Sequence, residues 1–382
     1  MKKLFFILTL LVSLPISAER ADSLSSVKDS LTIDEPKELP AKKTFFQKLI
    51  TTGKTVFNYI NDVDTTYVRP QEYNWAVMLQ STTTLESYDF LGPDGEFISF
   101  APDARTKIGP YAGWRWAFFG YAFDIKKLHI SERVDINLSF YSPIFNIDFV
   151  WRESGNRYKI REALVNTTLG TEEFRNISFP GIDTYMRGIN FNYVLKHRKY
   201  SMPAAFSQSS CQLRSAGSPI VGISYLHQRF SFDNDEFIKT LNEELSYRYP
   251  DKECALKLDS TFNFNKIEVA ALTISGGYAH NQVLAKNLLL GASLTAGLGI
   301  KKSIGDKYKR GFSYQDFKLK NVNFDGCGRF ALVYNNMRWF VGTSAIVHYY
   351  SYNKGKFHTA NWFATLNLYA GFNFGKRKEY RK

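Results

Sequence analysis

The sequence predicts an all-β fold, an antiparallel transmembrane β-barrel of about 12 strands preceded by a short amphipathic helix. Two observations carry that expectation: long segments with a period of two, and connections that alternate between long and short. From Leu288 to Ile300 every even position is apolar (Leu288, Leu290, Ala292, Leu294, Ala296, Leu298, Ile300), while Gly291, Ser293, Thr295, Gly297 and Gly299 fill most odd ones. Successive side chains leave a strand on opposite faces, so this period marks a strand with one apolar face. The run exceeds the roughly 5 or 6 residues of a typical globular strand and suffices for the about 9 to 11 that cross a bilayer at a tilt. The same register returns at Trp362, Ala364, Leu366, Leu368, Ala370, Phe372 and Phe374.

Taken in chain order, the first element is a signal peptide over 1–18. Lys2 and Lys3 precede an apolar run from Leu4 to Leu14, and Pro15 to Ala18 lead to the charged pair Glu19 and Arg20. The run is too short to span a membrane and ends in a cleavage-type sequence. The expectation is export by the general secretory route to the cell outer membrane of a Gram-negative bacterium. Residues 19–43 are polar, with too little apolar surface to fold, and read as a flexible periplasmic linker. Phe45, Phe46, Leu49, Ile50, Gly53, Phe57 and Ile60 recur at three-and-four spacing, which predicts an amphipathic helix over 44–62. The barrel is expected over 63–382.

Twelve strand windows follow: 73–82, 107–115, 117–126, 133–141, 145–153, 184–196, 219–232, 264–282, 287–301, 321–335, 338–352 and 360–374. The hairpin at 133–153 shows the two faces. Val134, Ile136, Leu138 and Phe140 share one face, continued by Phe145, Ile147, Phe149 and Trp151 after Pro143. Neighbouring strands place Arg115, Asp124, Arg133, Asp135, Asp148 and Arg152 on the opposite, lumen face. Inward charges of both signs are costly unless paired or hydrated, so they point to cross-barrel pairing or to a watered permeation path.

Barrels of this kind have short periplasmic turns and long outer loops. With a periplasmic N-terminus, the connections 83–106, 154–183, 233–263 and 302–320 come out long and external. Trp116, Ser142 to Ile144, Val283 to Lys286 and Asn336 to Met337 come out short and internal. A thirteenth strand over 157–166 would invert this parity, so it is not expected as a full strand. One connection breaks the rule. His197 to Ser218 runs 22 residues on the side where turns are short. It carries Met202, Ala204, Ala205 and Phe206 among hydrogen-bonding groups, so it is expected to fold into the lumen as a plug. Its plug or ligand-site residues are His197, Tyr200, Ser207, Gln208, Ser209, Gln212, Arg214 and Ser215, with the serines, glutamines and Arg214 bonding to the inward Arg and Asp rows.

Composition bounds the function. The mean hydropathy of −0.27 fits a polar lumen averaged with an apolar exterior, and aromatics at 16% supply interfacial girdles. The net charge of +13 would suit nucleic acid, but export points instead to anionic outer-membrane lipids. The other expected partner is the barrel insertion machinery; no nucleic-acid partner is expected. Three cysteines, Cys211, Cys254 and Cys327, imply no disulfide framework and allow at most one bridge. Phosphate-loop, dinucleotide, zinc-protease and paired-cysteine motifs are absent, so no cofactor, metal or catalytic residue is assigned. Gly291 to Thr295 reads Gly-Ala-Ser-Leu-Thr and lies mid-strand, unlike a nucleophile elbow.

The stretches DTTYVRPQEYNWAVMLQ at 64–80, SFAPDARTKIGPYAGWRWAFFGYAFDI at 99–125 and HRKYSMPAAFSQSSCQLRSAGSPIVGISY at 197–225 resemble the domain of unknown function family 4421. So do SGGYAHNQVLAKNLLLGASL at 275–294 and NLYAGFNFGKR at 367–377. The resemblance implies an exported outer-membrane protein and brings no activity or catalytic residues with it. Phe372 and Phe374 resemble the terminal aromatic signal of many outer-membrane barrels, with eight residues following. The leading functional expectation is a non-enzymatic barrel, either a narrow or plugged channel or a structural one. The alternatives are a lipid-modifying hydrolase, using Ser207, Ser209, Ser210, Ser215 or Ser218 with His197 or His227, and a soluble secreted β-barrel or sandwich that binds a ligand.

Overall fold

Alternation over long windows becomes a wall of long antiparallel strands. The computed structural model describes residues 62–114, 117–120, 123–124, 135–155, 158–251, 253–258, 262, 265–303, 322–354 and 357–381. The signal peptide, the linker and all but the last residue of the expected helix lie outside these, as do Arg115 and Arg133.

The chain begins with β1 (Val68–Pro70), β2 (Tyr73–Leu91), β3 (Phe97–Pro102), β4 (Arg105–Trp114), β5 (Ala117–Gly120) and β6 (Phe123–Asp124). Next come β7 (Asp135–Tyr141), β8 (Phe145–Gly155), β9 (Tyr158–Thr167), β10 (Gly170–Phe179) and β11 (Ile182–Val194). Helix α1 (Met202–Phe206), β12 (Ser210–Gln212), β13 (Ala216–Phe232) and helix α2 (Asn234–Arg248) follow. The chain ends with β14 (Lys266–Ala285), β15 (Leu288–Ser303), β16 (Val322–Asn335), β17 (Trp339–Lys354) and β18 (Phe357–Lys376). Each of the expected windows contains a strand.

From β13 to β18 each strand pairs with the next, and β18 returns to pair with β2 from Tyr73 to Leu91. On its other edge β2 divides: residues Trp75–Thr84 pair with β4, and Tyr88–Leu91 pair with β3. At the other end of the order, β13 pairs with β11, β11 with β8 and β8 with β7. The sheet curls until β8 touches strands far from it in the order. Arg329 on β16 is ion-paired with Asp148, and Arg152 Nη1 lies 3.3 Å from Glu86 Oε2 on β2.

Burial is inverted relative to a water-soluble core. Ile274, Leu294 and Leu298 are 72%, 69% and 65% exposed, whereas Arg329 is 1% exposed and Asn281 is fully buried. Along β15 the even positions face outward and the odd positions inward, in the register read from the sequence. Among the described residues no helix is long and apolar enough to cross a membrane.

Three parts of the long-connection end differ from expectation. Residues 83–106 are largely strand, since β2 continues to Leu91 and β3 returns. Residues 158–167 do form a strand, β9, but it pairs with β3 and β10 and not with the wall, so the parity of the other connections survives. Residues 233–263 contain α2, capped by the Asp233 carboxylate accepting from the Glu236 amide at 3.0 Å. The apolar residues of these pieces face one another. Tyr88, Phe90, Phe100, Tyr158, Phe174 and Phe179 join Phe237, Leu241 and Leu245 of α2 in a true hydrophobic core.

Candidate functional site

The segment that broke the loop-length rule is built as follows. Beyond β11 the chain turns at 195–199 and enters α1, whose N-cap Ser201 accepts from the Ala204 amide at 3.3 Å. Ser201 donates its own amide to Gln212 Oε1 at 2.9 Å. The short β12 then pairs with β1, so the residues ahead of the first wall strand close over the segment.

Its apolar residues touch wall strands all around. Met202 and Tyr200 pack with Tyr141 of β7, Val194 of β11, Ile220 of β13 and Ala279 of β14. Ala204 and Ala205 pack with Ala76 of β2, Leu289 of β15, Ala331 and Val333 of β16, Phe340 of β17 and Tyr369 of β18. A Cβ on Gly291 would lie 2.6 Å from that of Ala205, so the glycine is what lets α1 approach β15.

The polar residues are tied with few groups unused. Gln212 accepts from Asn281 Nδ2 at 3.1 Å and donates to the carbonyls of Lys199 and Arg214 at 2.7 and 3.0 Å. Gln208, in the left-handed region at φ 54°, donates to the Tyr369 hydroxyl at 2.7 Å, and Asn335 Nδ2 donates to its carbonyl at 3.3 Å. Ser207 and Ser209 bond each other at 3.0 Å, and Ser210 bonds Ser201 at 2.7 Å. Ser215 accepts from the Val283 amide and Ser218 from the Lys196 amide. His197 is buried, and desolvation holds its imidazole below its ordinary 6.5. Burial pushes the Cys211 thiol up to about 12, and its sulfur lies 3.4 Å from the Asn335 carbonyl and 3.0 Å from Met337 Sδ.

Among the described residues the serines and glutamines of the segment bond to one another and to Asn281, Tyr369 and backbone groups, and not to Asp148 or Arg152. Arg214 is exposed and lies over the Tyr67 ring at 5.8 Å, because the chain leaves the interior there. The rows find partners across the lumen instead. Asp148 accepts from Ser139, Asn146 and Arg329, and Arg152 meets Glu86. Asp124 and Asp135 lie on β6 and β7; Arg115 and Arg133 are outside the described residues.

Serine and histidine are not gathered into one hydrolytic cluster around His227. That residue lies near the opposite end of β13 from Ser218, with Nε2 2.9 Å from Glu268 Oε1. The sequence reading missed several lumen residues. Lys301 is buried with Asp325 at 2.6 Å, and Asp325 also accepts from Thr273. Cys327 stands opposite His348 on β17. Their inward parity on windows already drawn was the available signal. All three cysteines are free.

Toward the long connections the outward face changes character over two successive rows on four adjacent strands. Phe149, Ile189, Tyr225 and Leu272 are aligned across β8, β11, β13 and β14. Two residues nearer the long connections the aligned row holds Trp151, Arg187, His227 and Ala270, and the next holds Glu153, Tyr185, Arg229 and Glu268.

With this geometry in hand, the model of the family described as Domain of unknown function (DUF4421) matches residues 62–374. The chain belongs to that family. A search of curated proteins finds no match. Among solved structures, the chain is similar to the outer-membrane protease OmpT of Escherichia coli, at 8% identity and a TM-score of 0.32, covering 79% of this chain and 97% of the other. The translocator domain of the autotransporter NalP of Neisseria meningitidis gives 9% identity and 0.28, over 86% and 96%. The β domain of the Bordetella autotransporter BrkA gives 9% and 0.30, over 76% and 98%. At such values no activity carries over to this member of the family.

Proposed function

We propose that the chain is an integral outer-membrane β-barrel whose lumen is closed by the segment 197–218, making it a plugged channel or a structural barrel. The observation that carries this reading is the inverted burial of the wall. Among the described residues an outward band including Val221, Ile223, Ile274, Leu294 and Leu298 is left exposed, which suits an apolar solvent, and toward the long connections it gives way within two rows to Arg187, His227, Arg229 and Glu268. On this reading the twelve expected strands are β2, β4, β5 with β6 taken as one, β7, β8, β11 and β13 to β18, with β3, β9 and β10 as a branch of the same sheet. Residues 125–134, between β6 and β7, lie outside the described residues. The short-turn end, where α1 sits, is the periplasmic one, and assembly uses the barrel insertion machinery.

The plug supports low conductance, because Ala204 and Ala205 pack against Leu289 and Val333, and Met202 against Tyr141, from strands around the wall. Detergent extraction from the membrane fraction and heat-dependent gel mobility test the barrel. Planar-bilayer recording tests the plug: intact protein conducts weakly, and deletion of 199–216 raises conductance without preventing insertion. Recovery as a soluble monomer overturns the membrane reading, and unchanged conductance on deletion overturns the plug.

A further inference from the structure

We propose that Arg187 and Arg229 form a site for the phosphate of a lipid headgroup at the long-connection edge of the membrane band. The proposal rests on the membrane reading above. Arg187 lies with its guanidinium carbon 4.5 Å from the Trp151 ring centroid and 5.3 Å from that of Tyr185. Arg229 lies 5.3 Å from the same Tyr185 ring. Two cations are thus gathered on one tyrosine, and their mutual repulsion calls for an anion between or above them.

The nearby carboxylates are already engaged. Glu268 holds His227 Nε2 at 2.9 Å and Lys266 Nζ at 2.6 Å, and Glu153 accepts from Trp151 Nε1 at 3.1 Å. Among the described residues neither Arg187 nor Arg229 forms an ion pair. The ring contacts hold each guanidinium in place while no ion pair occupies its N–H fork, and a free fork suits phosphate oxygens.

The source of the phosphate follows from what lies beside it. Along β11 the residue next to Arg187 on this face is Ile189, and along β13 Tyr225 and Ile223 follow Arg229 beyond His227; all three are strongly exposed. A lipid uses both halves of this surface, with its headgroup on the arginines and its chains along the apolar strip. Free phosphate gains nothing from the strip.

The test uses the purified full-length protein in detergent. Phosphatidic acid, diacylglycerol with the same acyl chains and inorganic phosphate are titrated separately, read by native mass spectrometry and by the unfolding temperature. Phosphatidic acid is expected to bind at least tenfold more tightly than diacylglycerol, with inorganic phosphate giving no comparable stabilisation. The Arg187→Gln/Arg229→Gln double variant, checked for native heat-dependent mobility, is expected to abolish that tenfold preference. Arg187→Lys is expected to retain part of it. Equal binding of the two lipids by the wild-type protein overturns the proposal whether or not the variant folds, and so does a folded double variant with an undiminished preference. A barrel that inserts yet ignores the phosphate defeats this site alone; a protein that never enters detergent or bilayer defeats the membrane reading.

Discussion

Arg329 of β16 and Asp148 of β8 meet across the lumen, five positions apart in the strand order, with the arginine 1% exposed. A guanidinium buried this far from water is tolerable only while its carboxylate is present. Arg329→Met leaves Asp148 without its main counter-charge and is expected to cost about 3 to 5 kcal/mol of stability. The double variant Arg329→Met/Asp148→Leu is expected to recover most of that loss. Denaturant titration in detergent checks both, and a single variant as stable as the parent contradicts the account.

Gly291 tests the seat of α1. Its missing side chain is what admits Ala205, so Gly291→Val must push the helix off β15. The expected cost is about 1 to 3 kcal/mol by overpacking. The wall should keep its heat-dependent mobility while conductance rises, since the displaced helix no longer fills the lumen.

Cys211 reports the same closure chemically. With its thiol pushed up to about 12 from an ordinary 9.0, the reactive thiolate is roughly a thousand-fold scarcer than in an unhindered cysteine. Labelling at pH 8 followed by peptide mapping should find Cys211 slow in the folded protein and fast after denaturation. Fast labelling of the native state, or no acceleration in Gly291→Val, contradicts the packing described.

Acid should loosen the segment through His197. Burial lowers its folded pKa beneath the unfolded 6.5, so in the interval below 6.5 the unfolded chain holds more protons than the folded one. Stability therefore falls as the pH drops below 6.5 and levels off once the folded imidazole is also protonated. His197→Gln should flatten that part of the stability–pH curve. The measurement is the unfolding midpoint across that range, and an equal slope in the variant removes His197 as its cause.

Much of the wall was legible because the outer and inner faces of the curled sheet impose opposite demands on successive residues, and Leu288 to Ile300 or Trp362 to Phe374 carry that demand over long stretches. The branch β3, β9 and β10 was not, because Phe100, Tyr158 and Phe174 are buried in a core of their own with α2 and not on the two-faced wall. Helix α2 did leave a sign, with Asp233 three residues before Glu236 and Phe237, Leu241 and Leu245 four apart. The inner segment was betrayed by length alone. Its partners were hidden because Asn281, Asn335 and Tyr369 lie 69, 127 and 161 residues from the glutamines they meet.

The pairing of β18 with β2 joins Gln80 to Asn367, 287 residues apart, through a hydrogen bond of 3.2 Å. Such a seam cannot form while the chain is still being delivered from its N-terminal end; the first long strand must wait, one edge open, for the last. Pairing over such a separation is intrinsically slow, so the edge of β2 stays open until β18 arrives. The seam also brings Tyr73 beside Lys376. A circularly permuted chain, linked there and opened in a long connection, should reach the same wall by a different order of events.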